Sequence, residues 1–412
     1  MAESVIASGP SAGEVVDGAG RILQLVRANQ PQTVSSLAAT MGMARSTVTQ
    51  RLRVLAERGL ISTQTTSSGG RGRPAAVSVF NPAAAFVLAV HLGFSGYRVA
   101  VTDLAGEVLA HQFVSVELGS GPDHLLEQIA VSLQQLSTQA GLKPTNLAGI
   151  GVAAPRSVEL NSYLRSLGIN RTDWDREHFH RVLSSRHGVP VRLDTDVNLM
   201  AMAERRKSWP ESEVFVCAKL GTMIDAAVLI NGTPVHGSSH QAGQLAHVKV
   251  CGSTAICTCG STGCLDAVAS GAALVRELRA AGHDVDHVSQ IVELAAGGDA
   301  EAVHAIRGAG RHIGEALATV TNLLNPDAIA VWGYLAEADT ILFSGIRETL
   351  YRGALPAAGD GLKVVTAALG DLAGVLGAAH LMITELLDPV NVERTIVSDR
   401  WTVALPETGR VG

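Results

Sequence analysis

Apolar positions along the first eighty residues change period once. From about 18 to 29, Ile22, Leu23, Leu25 and Val26 recur at the spacing that lines the inner side of a helix, and Pro31 ends it. A second short helix over about 34–41 carries Leu37 and Met41, and Gly42 supplies the turn after it. A third spans about 44–58: Ala44, Val48, Leu52 and Leu55 fall in one narrow arc, and Gly59 stops it. Its opposite face shows Ser46, Gln50 and Arg53 flanked by Thr47 and Thr49, with Arg45 in the first turn. The period then drops to two. Leu60–Ser62 and Ala76–Phe80 read as strands around Ser-Ser-Gly-Gly-Arg71-Gly-Arg73-Pro74.

Two short helices joined by a glycine turn, the second polar and basic outside, then strand-loop-strand, predict a winged helix-turn-helix over 17–81. A helix fits the major groove, where Gln and Arg read base edges, and a slim Arg-Gly-Arg tip suits a narrow minor groove. Arg45, Ser46, Thr47, Thr49, Gln50, Arg53, Arg71 and Arg73 are therefore the candidate DNA contacts. The alternative, a three-helix bundle with a solvated polar face, leaves the basic wing unexplained. Ala44 offers no side-chain oxygen at the start of the third helix, so a DNA phosphate is the expected partner of its first N–H groups.

Past residue 82 the chain alternates strands with helices, the signature of an α/β fold. Strand-turn-strand begins at Phe86, and a helix follows over about 122–140. Buried strands read at Leu147–Ala153 and Ala328–Trp332, with a long amphipathic helix over about 298–324 and a helix near 337–352. The stretch Gly370–His380 is rich in small residues, which predicts a helix in close contact with its neighbours. Residues 1–16 read as a flexible leader and 391–412 as a loose tail.

Composition narrows the class. The 412 residues are 47% apolar and 17% charged, enough for a sizeable core and too apolar for disorder. No apolar run reaches about 18 residues, so no membrane span is expected. The N-terminus lacks the basic and apolar regions of a secretion signal, which implies a cytoplasmic protein with reduced cysteines. Charge is uneven: residues 1–80 hold eight Arg, no Lys and four acids, a balance of +4, while the whole chain is −6 and the remainder therefore −10. A basic head on an acidic body points to a polyanion at the head.

Four of the five cysteines fall in His247-Val-Lys-Val-Cys251-Gly-Ser-Thr-Ala-Ile-Cys257-Thr-Cys259-Gly-Ser-Thr-Gly263-Cys264-Leu-Asp266. His247, Cys257, Cys259 and Cys264 offer one imidazole and three thiolates, a donor set for tetrahedral Zn2+ with no open position, so a structural site. Small buried thiols in a loop are the alternative. Cys251 and Cys217 read as structural.

The order of winged helix, Thr195-Asp196-Val-Asn-Leu-Met-Ala-Met-Ala-Glu204 and the cysteine knuckle resembles the ROK family (repressors, open reading frames and kinases), and within it the transcriptional regulators. The likeness runs from about 18 to 388. It implies a two-lobed actin-like fold of the sugar kinase/Hsp70 ATPase type. Lobe I would be 82–197 plus 375–390, and lobe II, with the knuckle, 198–374. By the same resemblance Asn170, Asp196, Gln244, His247 and Asp266 would contact a sugar or sugar-phosphate effector. Gln244 stands where the family has an acid, Asp266 is one methylene short of Glu, and Thr195 replaces Asn.

The phosphate loops depart further. His91 and Phe94 replace an acid and a glycine in the first, Asp225 in the second would repel a triphosphate, and Trp332 replaces a glycine. Each change disfavours ATP, so the resemblance implies a regulator without enzyme activity. The implied protein is a repressor of carbohydrate-related genes that binds palindromic double-stranded operator DNA as a homodimer or homotetramer. Two alternatives stay open: a sugar kinase carrying a DNA-binding head, and a regulator that answers to a protein partner.

Overall fold

The computed structural model describes residues 16–29, 31–66, 75–116, 118–156, 164, 169, 174–398 and 400–403. Residues 1–15 of the expected leader, the wing tip with Arg71 and Arg73, Asn170, and residues 404–412 lie outside the described residues. Val16, at the leader's end, is buried.

The N-terminal unit has helices α1 (Ala19–Ala28), α2 (Val34–Met41) and α3 (Arg45–Glu57). Strands β1 (Gln32–Thr33), β2 (Ile61–Thr66) and β3 (Ala75–Phe80) form a sheet in the order β1-β3-β2. The Thr33 hydroxyl accepts the Ser36 N–H at 3.1 Å and caps α2, and Gly42, at φ 64°, makes the left-handed turn toward α3. Val48, Leu52 and Leu55 are buried as their spacing requires. Ala44 is exposed: it sits at the extended N-cap of α3, before the helical period begins, so it leaves the predicted arc.

The first five-stranded sheet comprises β4 (Phe86–Leu92), β5 (Gly96–Asp103), β6 (Val108–Ser115), β7 (Leu147–Ala154) and β8 (Val191–Thr195), in the order β6-β5-β4-β7-β8. β4 and β7 pair in parallel and are buried at every position, which is why they read as unbroken apolar runs. Helices α4 (Pro122–Gln139) and α5 (Arg176–His187) pack with Phe86, Leu88 and Val90 on one face. Helix α6 (Asp196–Ser208) runs from the end of β8 toward the second sheet.

That sheet has β9 (Val214–Leu220), β10 (Ile224–Ile230), β11 (Thr233–Pro234), β12 (Ala328–Trp332) and β13 (Lys363–Thr366), in the order β11-β10-β9-β12-β13. Its core is closed by α7 (Leu265–Ala269), α8 (Gly271–Ala280), α9 (Val288–Ala296), α10 (Ala300–Leu324) and α11 (Asp339–Gly353). The chain then returns to the first sheet through α12 (Ala373–Leu386), which carries the small residues. A Cβ on Gly151 of β7 would stand 1.9 Å from the Ala378 carbonyl, so sheet and helix meet at backbone distance.

The expected loose tail is corrected over its first residues. Pro389–Ser398 forms a further helix, α13, with Val392 and Ile396 buried. The Glu393 carboxylate accepts N–H bonds from Gly18 (2.9 Å) and Gly20 (3.3 Å), and Arg58 donates to the Ile396 carbonyl at 2.6 Å. Gly20 lies so close to Pro389 that a Cβ there would be 2.1 Å from its carbonyl oxygen. The core of the N-terminal unit runs on through α13 into that of the first sheet, from Ile22 and Val26 to Val392, Met382 and Val87. Glu393→Ala removes two hydrogen bonds to a charged acceptor and is expected to loosen α1 by about 1.5–3 kcal/mol. Faster hydrogen exchange confined to the amides of α1 would register it.

Candidate functional site

Three features carry chemistry. On the N-terminal unit, Arg45, Ser46, Thr49, Gln50 and Arg53 are exposed on the outer face of α3, and Thr47 is half-buried. Thr49 donates its hydroxyl to the Arg45 carbonyl at 2.8 Å, and Arg53 pairs with Glu57 at 2.9 Å in the open. Arg51, on the inner face, is buried and donates to the Asp17 carbonyl at 2.7 Å, so it braces the helix.

The second feature is the cleft between the two sheets. Lys219 of β9 and Asp225 of β10 are register partners, so their side chains leave the same face. Each is met from the other side. Lys219 pairs with Asp196, the first residue of α6, and Asp225 pairs with Arg156, just past β7, at 2.6 Å. Arg156 also donates to the Ala242 carbonyl at 2.8 Å. All four side chains are buried. The charges alternate around this group, so each carboxylate has a cation against it where water cannot reach.

Asp196 accepts the Val197 N–H at 2.8 Å, and His91 Nε2 lies 3.9 Å from its other oxygen. Burial pushes its carboxyl up, but Lys219 and His91 outweigh burial and hold it far below the ordinary carboxylate range. Beside it, Asp194 pairs with His236 at 3.0 Å and accepts from the Asn198 amide at 3.2 Å. Gln244 and His247 flank one short turn, sewn to β10 by the Ala226 N–H bond to the Gly243 carbonyl at 3.0 Å. Asp266 is buried in the first turn of α7 and accepts the Ile224 N–H at 2.9 Å. It thereby ties the knuckle to the loop between β9 and β10.

Toward the phosphate-loop side the cleft narrows to a cavity of about 150 Å³ whose lining includes His91, Phe94, Lys219 and Trp332. Lys219 Nζ stands 5.5 Å from the centre of the Phe94 ring, and Trp332 donates to the Gly370 carbonyl at 2.8 Å. Asp225 corrects the sequence reading: it belongs to β10, not to a phosphate loop, and its charge is spent on Arg156.

The third feature is the knuckle. The donor atoms of His247, Cys257, Cys259 and Cys264 all lie within 4.8 Å of one another. Cys259 and Cys264 sulfurs are 3.8 Å apart, and His247 Nδ1 is 3.9 Å from the Cys257 sulfur. Two thiolates about 2.3 Å from one tetrahedral metal ion would be separated by nearly the same distance, so the donor set fits such an ion. Lys249 reaches the Cys264 sulfur at 3.2 Å while also donating to the Thr262 carbonyl at 2.6 Å. Of the two cysteines left over, Cys217 is buried in β9 and Cys251 is exposed.

Sequence reasoning missed Lys219, Arg156, His236 and Lys249. A lysine inside Val-Phe-Val-Cys-Ala-Lys-Leu is a signal that could have been read, because a cation in a buried strand requires a partner. Nothing local marks Arg156.

Among the described residues no single helix is long and apolar enough to cross a membrane. Comparison with known proteins gives two matches to family descriptions: a helix-turn-helix domain over residues 19–64 and the ROK family over 87–385. The xylose repressor of Bacillus spizizenii is 25% identical over 374 residues, 90% of this chain and 96% of that protein. The Escherichia coli DNA-binding transcriptional dual regulator NagC is 27% identical over 91% of this chain and 94% of its own. The crystal structure of a ROK family transcriptional regulator, a homologue of the E. coli Mlc protein, superposes with a TM-score of 0.74 at 24% identity, covering 93% of this chain and all of that one. With a matched segment that takes in both sheets, the cleft and the knuckle, this chain belongs to the ROK family.

Proposed function

We propose that the protein is a DNA-binding transcriptional repressor of carbohydrate-related genes, acting in the cytoplasm as a homodimer or homotetramer, with a sugar or sugar-phosphate effector in its cleft. The observation that carries this is the exposed polar face of α3 on a head whose core is continuous with the lobe that forms one wall of the cleft. Arg45, Ser46, Thr47, Thr49, Gln50 and Arg53 would meet the major groove, and Arg71 and Arg73 the minor groove. Asp196, Gln244, His247 and Asp266, with Asn170, would face the effector. A ligand that closes the cleft changes the placement of two heads on an operator only through unequal affinity for two arrangements.

The purified protein should bind its own upstream region with strong salt dependence. Gln50→Ala should weaken specific binding by about 1–3 kcal/mol and leave the salt slope unchanged. Absence of salt-sensitive binding would sink the proposal.

We further propose that the cleft has no kinase activity. In a kinase of this family Asp196 would take the proton from the attacking hydroxyl. Here Lys219 holds it as an anion of very low proton affinity, and Phe94 and Trp332 crowd the phosphate side. Phosphorylation of any hexose, abolished by Asp196→Asn, would overturn this. The knuckle residues His247, Cys257, Cys259 and Cys264 would hold Zn2+, which supplies a structural cross-link for the wall bearing His247 and Asp266.

A further inference from the structure

Beside the cross-lobe ion pairs lies another cation in a different environment. Arg176 opens α5, directly after the N-cap Asp175, whose carboxylate is turned to the Glu177 N–H at 3.0 Å. Its guanidinium is within electrostatic reach of Asp194, Asp196 and Arg156, and it bears in turn on His236. Those residues come from β8, α6, the end of β7 and the segment after β11. Arg176 therefore places its charge near the Asp194 and Asp196 carboxylates from the side of α5.

The carboxylates around it are already matched. Asp196 has Lys219, Asp225 has Arg156 at 2.6 Å, and Asp194 has His236 at 3.0 Å. Arg176 has no hydrogen bond or ion pair among the described residues, and its Nε is buried without an acceptor. Arg176 is half-buried, and where its guanidinium is shut off from water, at Nε, the missing acceptor carries a cost. Its planar fork of donors fits a carboxylate or phosphate through two parallel bonds. The N-terminal end of the 12-residue α5 adds positive potential at the same place.

We infer that the ligand of this cleft carries an anionic group, the carboxylate of a sugar acid or the phosphate of a sugar ester, which seats on Arg176 next to Asp196. This rests on the reading of the cleft as an effector site and narrows it, because a neutral sugar would leave Arg176 unmet.

The test is thermal melting of the full, metal-loaded chain in sodium phosphate, sodium acetate and sodium chloride at matched ionic strength. Phosphate or acetate should raise the melting temperature of the wild type by roughly 2 °C or more over chloride. A rise with phosphate alone identifies an ester, and a rise with acetate an acid. Arg176→Gln should abolish the rise while melting close to wild type in chloride, since the side chain has no hydrogen bond or ion pair to lose among the described residues. A merely structural arginine would lower the chloride value instead. The inference is overturned by that loss, by a rise that survives in Arg176→Gln, or by no anion-specific rise in the wild type. A parallel panel of neutral pentoses and hexoses separates the two readings: shifts there without anion shifts leave the effector site standing and remove its anionic partner.

Discussion

Lys219→Ala is expected to destabilise the protein by about 3–5 kcal/mol, measured by denaturant unfolding at neutral pH, because it strands the fully buried Asp196 carboxylate. Removing both charges with Lys219→Met and Asp196→Leu should recover most of that loss, since the desolvation of two ions is then avoided. The pH dependence follows from the sign of the Asp196 shift. A carboxyl whose folded proton affinity is depressed contributes stability above its ordinary range and loses it as pH falls toward the folded value. In Lys219→Ala the largest influence opposing burial is gone, so the carboxyl rises and takes up a proton more readily. The deficit should therefore shrink as pH falls toward about 4. A variant within about 1 kcal/mol of wild type at neutral pH would mean that the pair does not hold the cleft.

Removal of the metal should have the other large effect. Metal analysis should give about one zinc per chain, and Cys259→Ser or His247→Ala should abolish it. In small domains the binding free energy of such a site is on the order of 10 kcal/mol and becomes folding free energy. Here the knuckle is anchored at both ends, by the turn at 245–247 and by Asp266 on the Ile224 N–H. Its loss should therefore melt one wall of the cleft ahead of the rest. Effector-induced thermal shifts should disappear along with zinc, while operator binding by the head persists. Lys249→Ala should weaken zinc by about 10–100-fold, because it removes a donor to the Cys264 sulfur. Full effector response in metal-free protein would refute the placement of zinc at the effector wall.

Legibility in the sequence tracked how local each feature is. The knuckle's donors sit in one short loop of a cysteine-poor chain, so chemistry alone singled them out. The helices of the head were readable because each buries one stripe, and only Ala44 strayed, at a cap where the period has not yet begun. The cleft was different. Lys219 finds Asp196 on the other lobe, and Arg156 finds Asp225 across 69 positions, with no periodicity to connect them. Asp225 was misread for that reason: in an expected phosphate loop it suggested repulsion, whereas its partner lies beyond the reach of any local pattern. The tail was misread through its composition. Pro406 and several charges suggested a loose end, yet Val392 and Ile396 had a ready apolar surface on the first lobe.

The helix at 389–398 also bears on biosynthesis. Its Glu393 closes on Gly18 and Gly20, a sequence separation of 375 and 373 residues. A ribosome releases the head before both sheets, and the partner that clamps α1 emerges only after those sheets and their helices have been made. Until then the earliest-made helices wait with one flank uncovered, and a prematurely terminated chain should stay open to proteases there. A copy truncated before residue 389 lacks the clamp on α1 and should be poorly placed to occupy an operator.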